Sequence, residues 1–188
     1  MSLTITDLEQ LQQEHPDWQM ELVDGNIIVM EPSDYESDEI SIRFAAKLWN
    51  WVDPRRLGRV TGSSAGFILP HLTTNNTTKR NLRAPDVSFV LAHRLKRTQR
   101  DFVELVPDLM VEVKSKTAQI DKLEEKIKMF LRLGTVIGIL IDPDQLTLTV
   151  YQLNQEPKVL QDGEVLLLPE LLPGWELAIS DLWPPVFE

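Results

Sequence analysis

The 188-residue chain contains no cysteine, which excludes disulfides and thiolate-bound zinc or iron–sulfur centres and gives no sign of an oxidising compartment. No apolar run is long enough to cross a bilayer. The first residues, Met1-Ser2-Leu3-Thr4-Ile5-Thr6-Asp7, lack the basic start and apolar middle of a secretory signal. A cytoplasmic protein with no membrane partner is the expectation. Histidine is scarce: His15, His71 and His93 are scattered in polar surroundings without metal-ligand spacing. Basic residues are missing from a whole region, since residues 1–40 hold eleven acids and no lysine or arginine. Residues 41–140 carry eighteen basic residues against nine acids, and residues 141–188 one lysine against nine acids. The net charge of -10, which by itself argues against a nucleic-acid partner, therefore hides a basic middle. Acidic flanks can serve solubility and pair with that middle; alternatively the middle meets phosphate.

What is present has the length and the apolar content of one globular domain with a real core, expected to span residues 1–188. Thr6-x-x-Glu9 has the form of a capping box opening a helix that Pro16 stops. Trp18 to Val23, Asp24-Gly25 and Asn26 to Met30 read as a hairpin on a two-residue turn. Ser33-x-x-Glu36, then Ile40, Phe44, Leu48 and Trp51, predicts a second, amphipathic helix ending near Asp53-Pro54. Short strands are expected at Gly58 to Thr61 and Gly66 to Leu69. The polar stretch Pro70 to Leu82 reads as a mobile loop. Arg94, Lys96, Arg97 and Arg100 are expected on a short helix near the mouth of any site, where they would contact phosphate or simply face solvent. Asp121-Lys122-Leu123-Glu124 resembles another capping box, with Ile120, Leu123, Ile127 and Phe130 as the buried stripe and Gly134 as the stop. Val136 to Ile141 is an apolar run of the kind covered on both faces, and short strands and turns follow. The order predicts a mixed α/β or α+β fold.

The chemistry centres on Pro107-Asp108-Leu109-Met110-Val111-Glu112-Val113-Lys114-Ser115. In a strand, Leu109, Val111 and Val113 take one face while Glu112 and Lys114 share the other, ~7 Å apart. A carboxylate and an ammonium at the end of a buried strand are costly unless something uses them. Upstream, Arg83-Ala84-Pro85-Asp86-Val87-Ser88-Phe89-Val90 is a second apolar strand with one acid at its start. Phosphodiester cleavage by metal needs carboxylates for a hard cation and positive charge where the transition state gains negative charge. Asp86 and Glu112 can supply the first, with the Val113 carbonyl as a further oxygen ligand, and Lys114 the second. Asp108 lies ~13 Å along the strand from Glu112, too far to share an ion with it.

These motifs resemble the PD-(D/E)XK nuclease superfamily, and more closely the Uma-type restriction endonuclease family abundant in cyanobacteria. The likeness runs through Glu21-Leu22-Val23-Asp24-Gly25, the Asp86 and Glu112 strands, Lys126 to Gly134, and Leu172-Pro173-Gly174-Trp175-Glu176-Leu177. It implies a restriction-endonuclease-like core, a mixed central sheet flanked by helices. It further implies Mg2+ at Asp86 and Glu112, with Mn2+ as a substitute, and Lys114 as the catalytic lysine. Glu39 would add a helix acid and Lys126 a basic residue on the following helix. Relatives often carry a histidine where this chain has Ser37. The expected activity is a metal-dependent endonuclease acting on nucleic acid, DNA first, with a homodimer compatible with cutting two strands. The alternative is a catalytically quiet module of the same fold, used for nucleic-acid or protein binding. Gly62-x-Ser64-x-Gly66 matches a serine-hydrolase motif, but that motif requires a helix after the turn, and Phe67-Ile68-Leu69 reads as strand. Glu21 has a structural reading too, as partner of a buried base.

Overall fold

Alternating aliphatic runs become strands here, and the most apolar become the middle of the sheet. The computed structural model describes residues 2–70 and 80–188, so the loop expected from Pro70 to Leu82 falls largely outside the described residues. In chain order the elements are α1 (Ile5–Glu14), β1 (Met20–Val23), β2 (Asn26–Val29), α2 (Tyr35–Val52), β3 (Gly58–Gly62), β4 (Phe67–Ile68), β5 (Leu82–Arg83), β6 (Val87–Leu91) and β7 (Leu109–Val113). Then come α3 (Ile120–Arg132), β8 (Ile137–Asp142), β9 (Thr147–Tyr151), β10 (Lys158–Gln161), β11 (Val165–Leu167) and β12 (Glu176–Ala178), closed by a 3-10 turn at Ile179–Leu182.

All five residues of β7 are buried, as are all six of β8. Strands covered on both faces belong at the centre, and the six-stranded sheet runs β10-β9-β8-β7-β6-β3. β7 and β8 are parallel while their neighbours pair antiparallel, so the chain needs a crossover between them, which α3 supplies. Leu109, Val111 and Val113 pack with Ile40, Phe44 and Leu48 of α2 and with Trp175 and Leu177 of the tail. Met110 faces the opposite layer, against Ile127 and Phe130 of α3. Strand parity then sends Glu112 toward α3. A second sheet, β2-β1-β5-β4, packs Met20, Leu22 and Leu82 on Leu8 of α1. Its hairpin turns at Asp24 and Gly25, whose φ angles of 49° and 79° are the pair of left-handed residues that a type I′ turn demands.

The helix starts differ from the sequence expectation. The cap of α1 is Thr4, with Asp7 reciprocating, in place of Thr6 and Glu9. α2 is capped by Asp34 rather than Ser33: one carboxylate oxygen accepts from the Ser37 N–H, and the other accepts from the Lys116 N–H at 2.8 Å. That second bond ties the start of α2 to the chain leaving β7, which is why the aspartate wins the cap. α3 begins after Gln119 without a side-chain cap, so the Asp121 box does not form. Residues 94–100 form turns and bends instead of a short helix. There Asp108, buried at the start of β7, accepts from the Leu91 N–H and pairs with Arg94 at 2.7 Å. The Gly62–Gly66 turn leads into the strand β4 and not into a helix, so this turn is not a nucleophile elbow. Among the described residues, no helix is long and apolar enough to cross a membrane.

α3 lies close on the sheet because β8 offers it a glycine. A Cβ at Gly138 would stand 2.4 Å from Ile127 Cγ2. Gly138→Ala should therefore force α3 outward and lower unfolding free energy by ~1–3 kcal/mol, read from urea denaturation midpoints. A midpoint equal to that of the parent would mean that α3 has slack at this crossing.

Candidate metal and nucleic-acid site

Four elements meet at one end of the central sheet. β6 and β7 pair antiparallel with Val87 opposite Val111, so one residue further the register sets Asp86 opposite Glu112. Glu112 projects toward α3, and the Asp86 charge lies near enough to raise its pKa. The Val113 N–H donates to Asp86 Oδ2 at 2.7 Å, fixing the loop before β6 against the end of β7. Two neighbouring carboxylates repel each other. α3 answers with Lys126, whose place among Leu123, Ile127 and Phe130 buries a lysine in the apolar stripe. Its Nζ lies 2.8 Å from Glu112 Oε1 and 3.3 Å from Glu21 Oε1, and donates to the Ala84 carbonyl at 2.9 Å. The second sheet contributes Glu21, which also pairs with Arg83 at 2.8 Å and accepts from the Ala84 N–H.

Glu21 and Glu112 are each 3% exposed and Lys126 7%, so these charges interact in a low dielectric. Burial pushes the Glu112 carboxyl up to about 8, and the Asp86 charge adds to the rise while Lys126 opposes it. Asp86 is also raised, chiefly by burial. Burial works in the same direction on Glu21, but Lys126 and Arg83 outweigh it and hold Glu21 below the usual range. Burial would also strip the proton from Lys126, yet Glu112 and Glu21 overcome it and keep the ammonium charged. The cluster thus sets three carboxylates, Glu21, Asp86 and Glu112, against two cations, Arg83 and Lys126. When both are ionised, the surplus negative charge falls on the Asp86–Glu112 pair, and without a further cation a proton on Glu112 relieves it. Glu112 Oε1 touches Lys126 at ionic distance but out of line, leaving that oxygen without an aligned hydrogen bond.

That imbalance is the test for a metal ion. Two opposed hard oxygen donors, one lacking a donor hydrogen, with a charge deficit to fill, fit a divalent cation of the Mg2+ type. Among the described residues no group of three or more His, Cys, Asp or Glu is clustered to hold a metal, so an ion here would rely on water and substrate for its remaining ligands. A cavity of about 460 Å3 opens over the pair, with Glu21, Glu31, Asp38, Asp86, Glu112 and Lys126 in its walls. A larger cavity, about 870 Å3, lies away from these carboxylates along β3.

The remaining expected residues fall outside this contact set. Lys114 gives its ammonium to Asp144, which holds its pKa up, and does not line the cavity; the lysine that meets Glu112 is Lys126. Glu39 pairs with Arg43 at 2.7 Å, while the helix acid lining the cavity beside Asp86 is Asp38. Ser37 is buried within the α2 cap, its hydroxyl donating to the Asp34 carbonyl. The basic residues of 94–100 follow the far end of β6, ~17 Å along the strand from Asp86, and so are not at this mouth. Asp38 could have been found from sequence as the acid that shares a helical face with Ile42 and Ala45.

The core is a mixed α/β sheet with one parallel strand pair, flanked by helices. The chain superposes on the crystal structure of a protein from Anabaena variabilis ATCC 29413, described as "a putative nuclease belonging to DUF820". The TM-score is 0.76 at 24% identity, covering 96% of this chain and 97% of that one. Over residues 5–180 it matches the Uma2 family model, described as "Putative restriction endonuclease", and the chain belongs to that family. The fold class, a mixed sheet flanked by helices, is the one expected from the sequence. No match is found among curated proteins.

The raised Glu112 carboxyl has a measurable consequence. Between about pH 4.5 and about pH 8 the folded protein keeps a proton on Glu112 that the unfolded chain has released. That group's contribution is full below the lower value and fades as pH rises toward the upper one. In chelator-treated samples the melting temperature of Glu112→Gln should therefore gain on the parent from pH 5 to pH 8. Parallel curves for the two proteins across this window would show that Glu112 is already ionised at pH 5.

Proposed function

We propose that the chain is a Mg2+-dependent endonuclease hydrolysing phosphodiester bonds in DNA, with Mn2+ able to replace Mg2+. The observation that carries this reading is the register setting Asp86 opposite Glu112 beneath the ammonium of Lys126. Asp86, Glu112 and the Val113 carbonyl supply the oxygen donors. The ion, when bound, polarises the phosphate and favours hydroxide at neutral pH. To hold such an ion Glu112 would have to give up its proton, because a ligating carboxylate must be ionised.

Lys126 stabilises the negative charge that grows on phosphate oxygens, in a buried setting where each interaction counts for more than in water. Glu21 acts as a positioning residue: it holds the ammonium from one side and Arg83 from the other. Asp38, at the cavity wall beside Asp86, is suited to orienting water near the ion. In this assignment Lys114 and Glu39 are surface ion-pair residues, since their charges are already engaged by Asp144 and Arg43.

Plasmid nicking with Mg2+, run beside calorimetric metal titration, separates these roles. Asp86→Asn and Glu112→Gln should lose metal binding and cutting together. Lys126→Met should keep the metal yet lose roughly 100- to 1,000-fold in rate, the scale seen when a preorganised charge-stabilising group is removed. Lys114→Met should cut within a few-fold of the parent. The reverse pattern for the two lysines would return the catalytic role to Lys114, and a parent protein that binds no metal and cuts nothing would make the fold a quiet binding module.

A further inference from the structure

We propose that the groove along the outer edge of β3 holds a single nucleic-acid strand flanking the cut phosphate, a reading that rests on the nuclease assignment above. β3 is the edge strand of the central sheet, and its register spans the molecule: Gly62 lies opposite Val87 at the carboxylate end, Gly58 opposite Leu91 at the other. The small cavity containing Asp38 and Asp86 shares Ser64 and Ala65 with the 870 Å3 cavity that follows β3. The two cavities thus adjoin at Ser64 and Ala65, one beside Asp86 and the other running along β3.

The far end is cationic in a protein whose total charge is -10. There the chain after α2 and the segment after β6 are bound together: the Ala92 N–H donates to the Leu57 carbonyl, and the Arg59 guanidinium donates to the carbonyls of Leu95 and Lys96. Arg55 stacks on Trp51 and Arg59 is taken by those carbonyls, while Arg56, Lys96, Arg97 and Arg100 lie along the same two segments and, among the described residues, form no ion pair. Unpaired cations grouped on a strongly acidic protein are placed for an anion from outside.

The floor between the two ends has a different character. Gln12, Thr61, Thr98 and Gln99 are uncharged donors and acceptors of the kind that meet base edges, and Trp49, 49% exposed, stands in the wall. Glu9, Asp53 and Asp101 also line it, against Arg59 and Arg100, so the floor itself is not a phosphate site. Neutral polar groups with an exposed indole suit bases, and the cationic end suits the backbone, which together describe single-strand binding. The cavity, about 870 Å3, has the size of a small-molecule site, which suits one strand better than two.

The test measures binding without cleavage, in chelator, by fluorescence anisotropy. The probes are a short labelled single-stranded DNA and the same sequence as a blunt duplex. The single strand should bind at least about tenfold tighter, the worth of roughly one stacked base. Arg97→Glu with Arg100→Glu should weaken it further and reduce the salt slope by about 1.4, the share of two released phosphates on a single strand. Trp49→Ala should weaken it about five- to hundredfold with recovery in Trp49→Phe, while melting temperatures stay near the parent's. Equal affinity for both probes, or wild-type binding and salt slope in the double variant, would overturn the groove. Nicking separates the two claims: a protein that binds the strand but never cuts loses the nuclease reading and keeps the groove. One that cuts but binds the same in every groove variant loses the groove and keeps the nuclease.

Discussion

The structure turns on the cost of burying the Glu112 carboxylate in the central strand of the sheet. A lone ionised carboxyl there would be prohibitive, and the fold answers with a proton on Glu112 and a buried counter-charge beside it. α3 delivers that counter-charge, Lys126, across the parallel crossover, and the second sheet delivers Glu21, which Lys126 and Arg83 hold ionised. Glu21 adds to the rise in the Glu112 carboxyl rather than offsetting it, and it helps keep the Lys126 ammonium charged. The glycine at position 138 belongs to the same constraint, because it sets how near α3, and with it Lys126, can approach the strand that carries Glu112.

The second sheet gains a purpose from this. As a packed unit it buries only a small core around Leu8, Met20, Leu22 and Leu82. Its strand β5 runs directly into the Ala84-Pro85-Asp86 segment, so Glu21 can bind the Ala84 N–H while Lys126 takes the Ala84 carbonyl. One peptide segment is thus held from both faces immediately before the acid that must meet Glu112. Asp86 is placed by backbone hydrogen bonds on either side of it, Ala84 before and Val113 across.

Much of this was legible from the residues alone. Strand parity placed Glu112 opposite the face of Leu109, Val111 and Val113, and the Asp-Gly hairpin and the two-sided burial of the run from Val136 follow from local chemistry. Which lysine meets Glu112 was not legible from parity, because Glu112 and Lys114 share a face along the strand while the partner acid of Lys114, Asp144, comes from beyond β8. The stronger signal lay in α3, where Lys126 interrupts an apolar stripe that should exclude it. Caps were misread for a related reason. Thr6 and Ser33 match the motif, but the backbone turns into helix at Thr4 and Asp34, and Asp34 is selected by a tertiary bond to Lys116 that no local pattern contains.

The basic middle of the chain resolves into two separate uses of positive charge. Lys126 and Arg83 are consumed inside the protein, neutralising acids that the fold has buried. Arg55, Arg56, Arg97 and Arg100 stay exposed, while Arg59 is bound to the Leu95 and Lys96 carbonyls and Arg94 to Asp108 at the start of β7. Sequence proximity placed that second group beside Asp86, since only a few residues separate Asp86 from Arg94. The strand between them is extended, however, so proximity in sequence becomes separation by the length of β6. Charge in a strand-linked pair of segments therefore marks the two ends of a surface rather than one spot, and the edge of β3 is the surface that joins them.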